Sequence, residues 1–288
     1  MNNNQLKYKS SKKVQIIDKK FNNKLISNDW SNGNGVLTFE NDLSFIPGSA
    51  FAFNLTLKEL EMPNTISKIN MEAFCSTRVL NSIVLSNTIN TIEYRAFHDC
   101  HALENIVLPQ SLQSIAEDAF DSCVQLKSIN IPGNATNLGI SIFSSCFSLE
   151  NVNIEEGIKK LPDYTFRKCK ALSEITLPTT IEQLGMKVFS GCSSLKTIYV
   201  KPLTPPAVPK EYVISGGINK NTVNSWLALK DVDDFIIYVP AQSLDLYKEA
   251  QGWNEYINHI QPYEFPEYIV PEEPEDTPEE TLETSGEL

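Results

Sequence analysis

The residues best suited to chemistry sit in one tetrapeptide, His98-Asp99-Cys100-His101, which holds two of the three histidines of the 288-residue chain and one of its six cysteines. Imidazole and thiolate this close could ligate a soft metal or form a nucleophile–base pair. Zinc needs four ligands at defined spacing, and no second Cys/His cluster supplies the others. The nucleophile reading fails on different grounds. The same cysteine returns at Cys123, Cys146, Cys169 and Cys192 without a histidine beside it, so Cys100 reads as a structural thiol. Ser215-Gly216-Gly217 lacks the strand–loop–helix setting and the following Lys-Ser/Thr of a phosphate loop. The paired acids Glu155-Glu156 fall at a turn and read as a solvated face. The sequence therefore supports no enzyme and names no catalytic residue, metal or cofactor.

What positions these residues is a repeat. At intervals of 23, Phe returns at Phe51, Phe74, Phe97, Phe120, Phe143, Phe166 and Phe189, and Leu at Leu57, Leu80, Leu103, Leu126, Leu149, Leu172 and Leu195. A fixed period of this length marks a solenoid, in which each unit buries its apolar face against the next. The five periodic cysteines then form a column about 5 Å apart, the spacing of neighbouring strands. Parallel side chains in a column do not turn toward each other as a disulfide requires, so buried free thiols are expected. Cys75 lies two residues before the equivalent position, which is Thr77.

Within each unit, Leu-x-x-Ile-x-Leu reads as a strand, with Leu103, Ile106 and Leu108 facing the core. Pro63, Pro109, Pro132 and Pro178 end it, because proline lacks the N–H that ladder pairing needs. A second apolar pair, Leu112 and Ile115, turns the coil. Phe120, Cys123 and Leu126, spaced i, i+3, i+6, suggest a short helical or 3₁₀ turn on the convex side.

The pattern Leu-x-x-Ile-x-Leu-Pro-x-x-Leu-x-x-Ile-x-x-x-Ala-Phe-x-x-Cys resembles the BspA-like leucine-rich repeat family of bacterial surface proteins over about residues 35–200. It departs at Ile142, Thr165 and Val188, where Ala is expected, and at Ala135, where the family prefers Leu or Ile. The resemblance implies an α/β solenoid, a right-handed leucine-rich repeat superhelix with one parallel β-strand per 23-residue repeat and a C-terminal capping helix. It also implies a cell-surface or extracellular setting and roles in adhesion or host interaction.

Four segments follow. Residues 1–34, with seven lysines before Leu25 against the single acid Asp18, read as a basic, solvated arm and the start of a cap. Residues 35–200 form the solenoid, of which 35–48 look like a partial first repeat. Residues 201–263 hold a last repeat with a 16-residue insertion, then a strand, a helix with Ser243 at its N-cap, and an apolar stripe. Residues 264–288 carry ten acids and no base, and read as disordered. Most of the formal charge of −12 belongs to that tail, so the body shows no sign preference for nucleic acid. No run of about 18 apolar residues predicts a membrane span. No apolar core typical of a secretory signal is visible near the start.

Binding is the function the sequence leaves open. The positions between the core residues of each strand face outward on the concave sheet. The candidates there are Glu59, Glu61, Asn81, Ser82, Val84, Glu104, Asn105, Val107, Ser128, Asn130, Asn151, Asn153, Glu174, Thr176, Thr197 and Tyr199. They form an Asn/Ser/Thr ladder with intermittent acids and a small apolar step, and no aromatic cluster is evident. The insertion at 207–234, with Tyr212 and Trp226, is a second candidate. The expected function is a non-enzymatic binding module for a protein or glycan. The competing reading is a structural or assembly component, for example of a bacteriophage virion, suggested by the charged ends and the lack of a visible signal.

Overall fold

The computed structural model describes residues 2–16, 18–21, 23–208 and 234–268. Tyr212, Trp226, the Ser215–Gly217 run and residues 269–288 lie outside the described residues. The repeat folds as a β-solenoid. Strands in successive coils pair in parallel at an offset of 23: Glu59 with Ser82, Ser82 with Asn105, Asn105 with Ser128, Ser128 with Asn151, and Glu174 with Thr197. The second apolar pair of each unit also forms a ladder of its own. Two-residue strands at Phe45–Ile46, Lys68–Ile69, Thr91–Ile92, Ser114–Ile115 and Asn137–Leu138 pair coil to coil, so each of these coils carries a short strand besides the expected one.

The core is a set of columns. The rings of Phe51, Phe74, Phe97, Phe120, Phe143, Phe166 and Phe189 stack with centroids 5.1–5.9 Å apart and planes within 13° of parallel. Beside them every periodic cysteine is buried and free, its Sγ donating to the carbonyl of the phenylalanine 26 residues earlier at 3.1–3.3 Å.

The convex turn is not helical. Ala96, His98 and Cys100 donate their N–H to carbonyls three residues back, but Arg95, Phe97 and Asp99 donate to Glu117, Ala119 and Asp121 of the next coil. Left-handed residues enforce this alternation, with φ of 52° at Arg95 and 62° at Asp99. A continuous helix would keep the N–H groups within one turn, whereas a solenoid has a neighbouring coil to satisfy them.

The N-terminal arm is folded into the sheet, which corrects the solvated-arm reading. Strand β1 (Gln5–Ser10) is antiparallel both to Leu57–Glu61 and to β3 (Asn34–Phe39), and β3 pairs in turn with β2 (Leu25–Ser31). The period-2 order Leu6-Lys7-Tyr8-Lys9 explains it: Leu6 and Tyr8 are buried, while Lys7 and Lys9 face out toward Glu61 and Glu59 at 3.8 and 2.8 Å. Residues 35–48 are accordingly half a repeat. Leu37 and Phe39 belong to the hairpin, and only Phe45–Ile46 stacks in the 23-residue register.

At the other end, Ile236–Pro240 continues the ladder next to Thr197–Val200, and Ile260–Tyr263 follows it, so Ile260 closes a sheet rather than a helical stripe. Helix α1 (Leu244–Glu249) packs over this end. Ser243 stands at its N-cap but is buried and makes no side-chain cap bond. The anchors are Tyr247, whose hydroxyl donates to Pro202 at 2.6 Å, and Trp253, whose Nε1 donates to Pro206 at 2.9 Å. Among the described residues no helix is long and apolar enough to cross a membrane.

Candidate binding surface

Each strand of the main ladder presents two side chains on one outer face, and the 23-residue register aligns them in two columns. One runs Glu59, Ser82, Asn105, Ser128, Asn151, Glu174, Thr197. The other runs Glu61, Val84, Val107, Asn130, Asn153, Thr176, Tyr199 and continues to Tyr238. Asn81 and Glu104 lie one residue upstream at the strand entries, where Lys127 reaches Glu104 at 2.9 Å. The structure thus brings the expected residues into one surface, open to solvent at Val84 and most of all at Val107, which is 82% exposed.

Their engagement differs along the ladder. Asn130 Nδ2 donates to Glu155 at 2.7 Å, and Asn153 Nδ2 donates to Asn130 Oδ1. Glu155 also accepts from the Gly133 N–H at 3.0 Å and from Gln110 at 2.9 Å. The Asn130 and Gly133 bonds hold its carboxyl below the usual range. Glu156 accepts from the backbone N–H and the hydroxyl of Thr179, at 3.0 and 2.7 Å. These two acids fasten one coil to another, although they lie at a turn as expected, Glu156 exposed and Glu155 half-buried. Asn105, Asn151, Glu174 and Thr176, by contrast, have no side-chain hydrogen bond among the described residues. A shallow depression of about 350 Å³ lies over Ser128, Asn130, Asn151, Asn153, Glu174 and Thr176.

Aromatic residues stand at both ends of the face, contrary to the expectation of no cluster. At the C-terminal end Tyr199 and Tyr238 stack at 5.3 Å and 17°, and the Tyr263 ring lies 5.4 Å from the first and 5.3 Å from the second. The likeness between Thr197–Val200 and Ile236–Pro240 was the available signal, since it puts the two tyrosines at one register position. At the N-terminal end the hairpin borders a trough of about 750 Å³ between Trp30, Val36, Ser82 and Val84, flanked by the Lys7–Glu61 and Lys9–Glu59 pairs. Trp30 is 37% exposed. The signal for this end is the period-2 order Leu6-Lys7-Tyr8-Lys9, which the run of lysines masks in the sequence.

The His98–His101 tetrapeptide divides at the surface. Cys100 is fully buried, with its thiol on the Phe74 carbonyl. Outside, His98 lies 3.2 Å from Asp121, and His101 meets Asp99, which also holds Arg78 at 2.6 Å and Ser76 at 2.9 Å. Burial opposes ionisation of Asp99, but the bonds from Arg78 and Ser76 outweigh it and keep the carboxyl below the usual range. The group is a polar network across coils built around the Arg78–Asp99 ion pair, with the thiol turned away from both imidazoles.

Fold and surface together define a leucine-rich repeat solenoid. The family described as "BspA type Leucine rich repeat region" matches residues 44–170 and 90–204 in six copies. The chain belongs to this family, and leucine-rich repeat proteins generally serve as protein-interaction modules. No curated protein matches the chain. Among solved structures it is similar to a leucine-rich repeat protein of Bacteroides ovatus (22% identity, 74% of this chain and 61% of that one, TM-score 0.44). It is also similar to the Treponema pallidum leucine-rich repeat protein (28%, 54% and 73%, 0.47) and to a leucine-rich cell surface protein of Faecalibacterium prausnitzii (17%, 68% and 61%, 0.39). The chain therefore spans 61% of the length of the Bacteroides and Faecalibacterium proteins.

Proposed function

We propose that this protein is a non-enzymatic recognition module that holds a protein or glycan partner on its concave ladder, in a cell-surface setting. The observation that carries this is the row of outer-face positions in 23-residue register, whose amides, hydroxyls and carboxylates at Asn105, Asn151, Glu174 and Thr176 face solvent without side-chain hydrogen bonds among the described residues. Groups that satisfied only the fold would be bonded along the column, as Asn130 and Asn153 are. A surface that repeats every strand spacing suits an extended partner. The surface setting rests on the family and on the description of the Faecalibacterium protein. The assembly reading loses one support, because the basic arm on which it relied is a strand of the sheet.

The test is a double charge reversal, Glu104→Lys with Glu174→Lys, on two exposed acids of the ladder. It should abolish capture of partner molecules from host-cell surface extracts while lowering Tm by no more than loss of the exposed Lys127–Glu104 pair accounts for, since neither side chain is buried. Unchanged capture would move the site off the ladder. Protease shaving of intact source cells should remove the protein, and protection from shaving would sink the surface setting.

A further inference from the structure

We propose that the depression beside Tyr199 is a subsite for a neutral hexose unit of an oligosaccharide. This rests on the concave-face reading above and names its ligand class.

The outer column runs through short side chains, Asn130, Asn153 and Thr176, and then meets a ring at Tyr199, the register partner of Thr176. Tyr199 stacks on Tyr238 at 5.3 Å and 17°, close to the spacing between strands, so the ring faces look along the ladder. Tyr199 stands on the next strand after Thr176, just outside the residues that line the depression, so the face turned away from Tyr238 looks toward its Thr176 end. Tyr263 braces it with an edge contact at 5.4 Å and 68°. With Phe265 at 6.5 Å and 80° as a third neighbour, the ring is held in a fixed orientation.

The floor supplies the complement. Asn151, Glu174 and Thr176 line the depression and carry no side-chain hydrogen bonds among the described residues. An amide, a carboxylate and a hydroxyl beside an aromatic face match a pyranose, which has an apolar C–H face and hydroxyls around its rim that both donate and accept. An apolar peptide side chain would leave these three groups unpaired, at a penalty to binding. Charge narrows the choice further. Glu150 and Glu174 line the depression with no basic residue, so uronic and sialic acids are disfavoured.

The experiment titrates the full chain with cellohexaose, mannohexaose and chitohexaose, and with a hyaluronan hexasaccharide as the anionic comparison, read by calorimetry and tyrosine fluorescence. At least one neutral probe should bind saturably and hyaluronan should not. Tyr199→Phe should keep affinity within about threefold, because the ring remains, whereas Tyr199→Ala should weaken it at least about tenfold. Thr176→Phe, which fills the depression and leaves the Tyr199 ring in place, should weaken it by a similar factor and guards against a folding defect in the Ala variant. No saturable binding of any neutral probe up to about 10 mM overturns the proposal. So does binding that Tyr199→Ala and Thr176→Phe leave unchanged, or equal binding of hyaluronan. If the sugars fail while the Glu104/Glu174 reversal still abolishes partner capture, the subsite falls and the concave-face function stands.

Discussion

Thr77 sits where every later coil has cysteine, and its hydroxyl donates to the Phe51 carbonyl at 2.7 Å, the bond that Cys123 makes to Phe97 with its thiol. The column therefore selects a small buried donor, and sulfur is one way to provide it. This role has a pH signature. Burial pushes the Cys192 thiol from an ordinary 9.0 up to about 12, and it raises Cys100, Cys123, Cys146 and Cys169 as well. Above pH 9 the unfolded chain releases thiol protons that the folded chain retains. For Cys192 the stability tied to that proton is fully present below pH 9 and is lost as pH rises toward 12, and the other four thiols act in the same direction. Urea unfolding between pH 7 and 11 should show a steepening fall above pH 9, and Cys192→Ser should make it shallower. A fall of equal slope in that variant would contradict the account. The column was legible as buried thiols from its 23-residue spacing, but the identity of the acceptor was not, because nothing local in the sequence says which carbonyl a coil presents to the next.

Among the elements, β1 shows where a strong pattern hides a weaker one. Leu6 and Tyr8 alternate with Lys7 and Lys9, and the antiparallel strand they form covers the edge that Leu57–Glu61 would otherwise expose. The Tyr8 ring lies directly over Gly35, so close that any Cβ there would collide with it, and its hydroxyl donates to Asn28 at 2.6 Å. Deleting residues 2–10 should uncover a row of unpaired backbone groups and turn the protein into a self-associating species. Light scattering after size exclusion reads this, and a monomer of unchanged Tm would mean that β1 is dispensable. The convex turn is the second case. Its i, i+3, i+6 spacing reads as a short helical or 3₁₀ turn in isolation, and the structure keeps single i→i−3 bonds but sends the alternate N–H groups to the next coil. A one-dimensional pattern reports which side chains are buried and says nothing of whether a backbone partner lies within the turn or beside it. The same limit hid the aromatic wall: Tyr199 and Tyr238 share a register position, but Tyr263 joins them only because a third strand returns alongside.

At the scale of the whole molecule, stability is a sum of like contacts between neighbours, with end pieces that differ from the repeat. Ion pairs such as Lys159–Glu182 at 2.8 Å join residues 23 apart, but both partners are exposed and each pair adds little. The stacked phenylalanines instead link seven coils, from Phe51 to Phe189, in one buried column. Removing residues 117–139, one full period, joins Ala116 to Ile140 with every column restored, and this variant should still unfold in one transition by circular dichroism. Removing 20 residues from the same place shifts each column out of register and should leave the chain unfolded, so equal behaviour of the two would refute the column argument. The excision has another effect. Trp30 and the trough stay at one end and Tyr199 and its wall at the other, while the distance between them shrinks by one strand spacing, about 4.8 Å. Six coil steps separate Glu59 from Thr197, five of them joined by backbone pairing among the described residues, or about 29 Å at one strand spacing per coil. The solenoid is in this sense a ruler. Gain or loss of whole coils would change the span that a ligand must bridge between its two aromatic ends, in fixed increments and without redesign of either end.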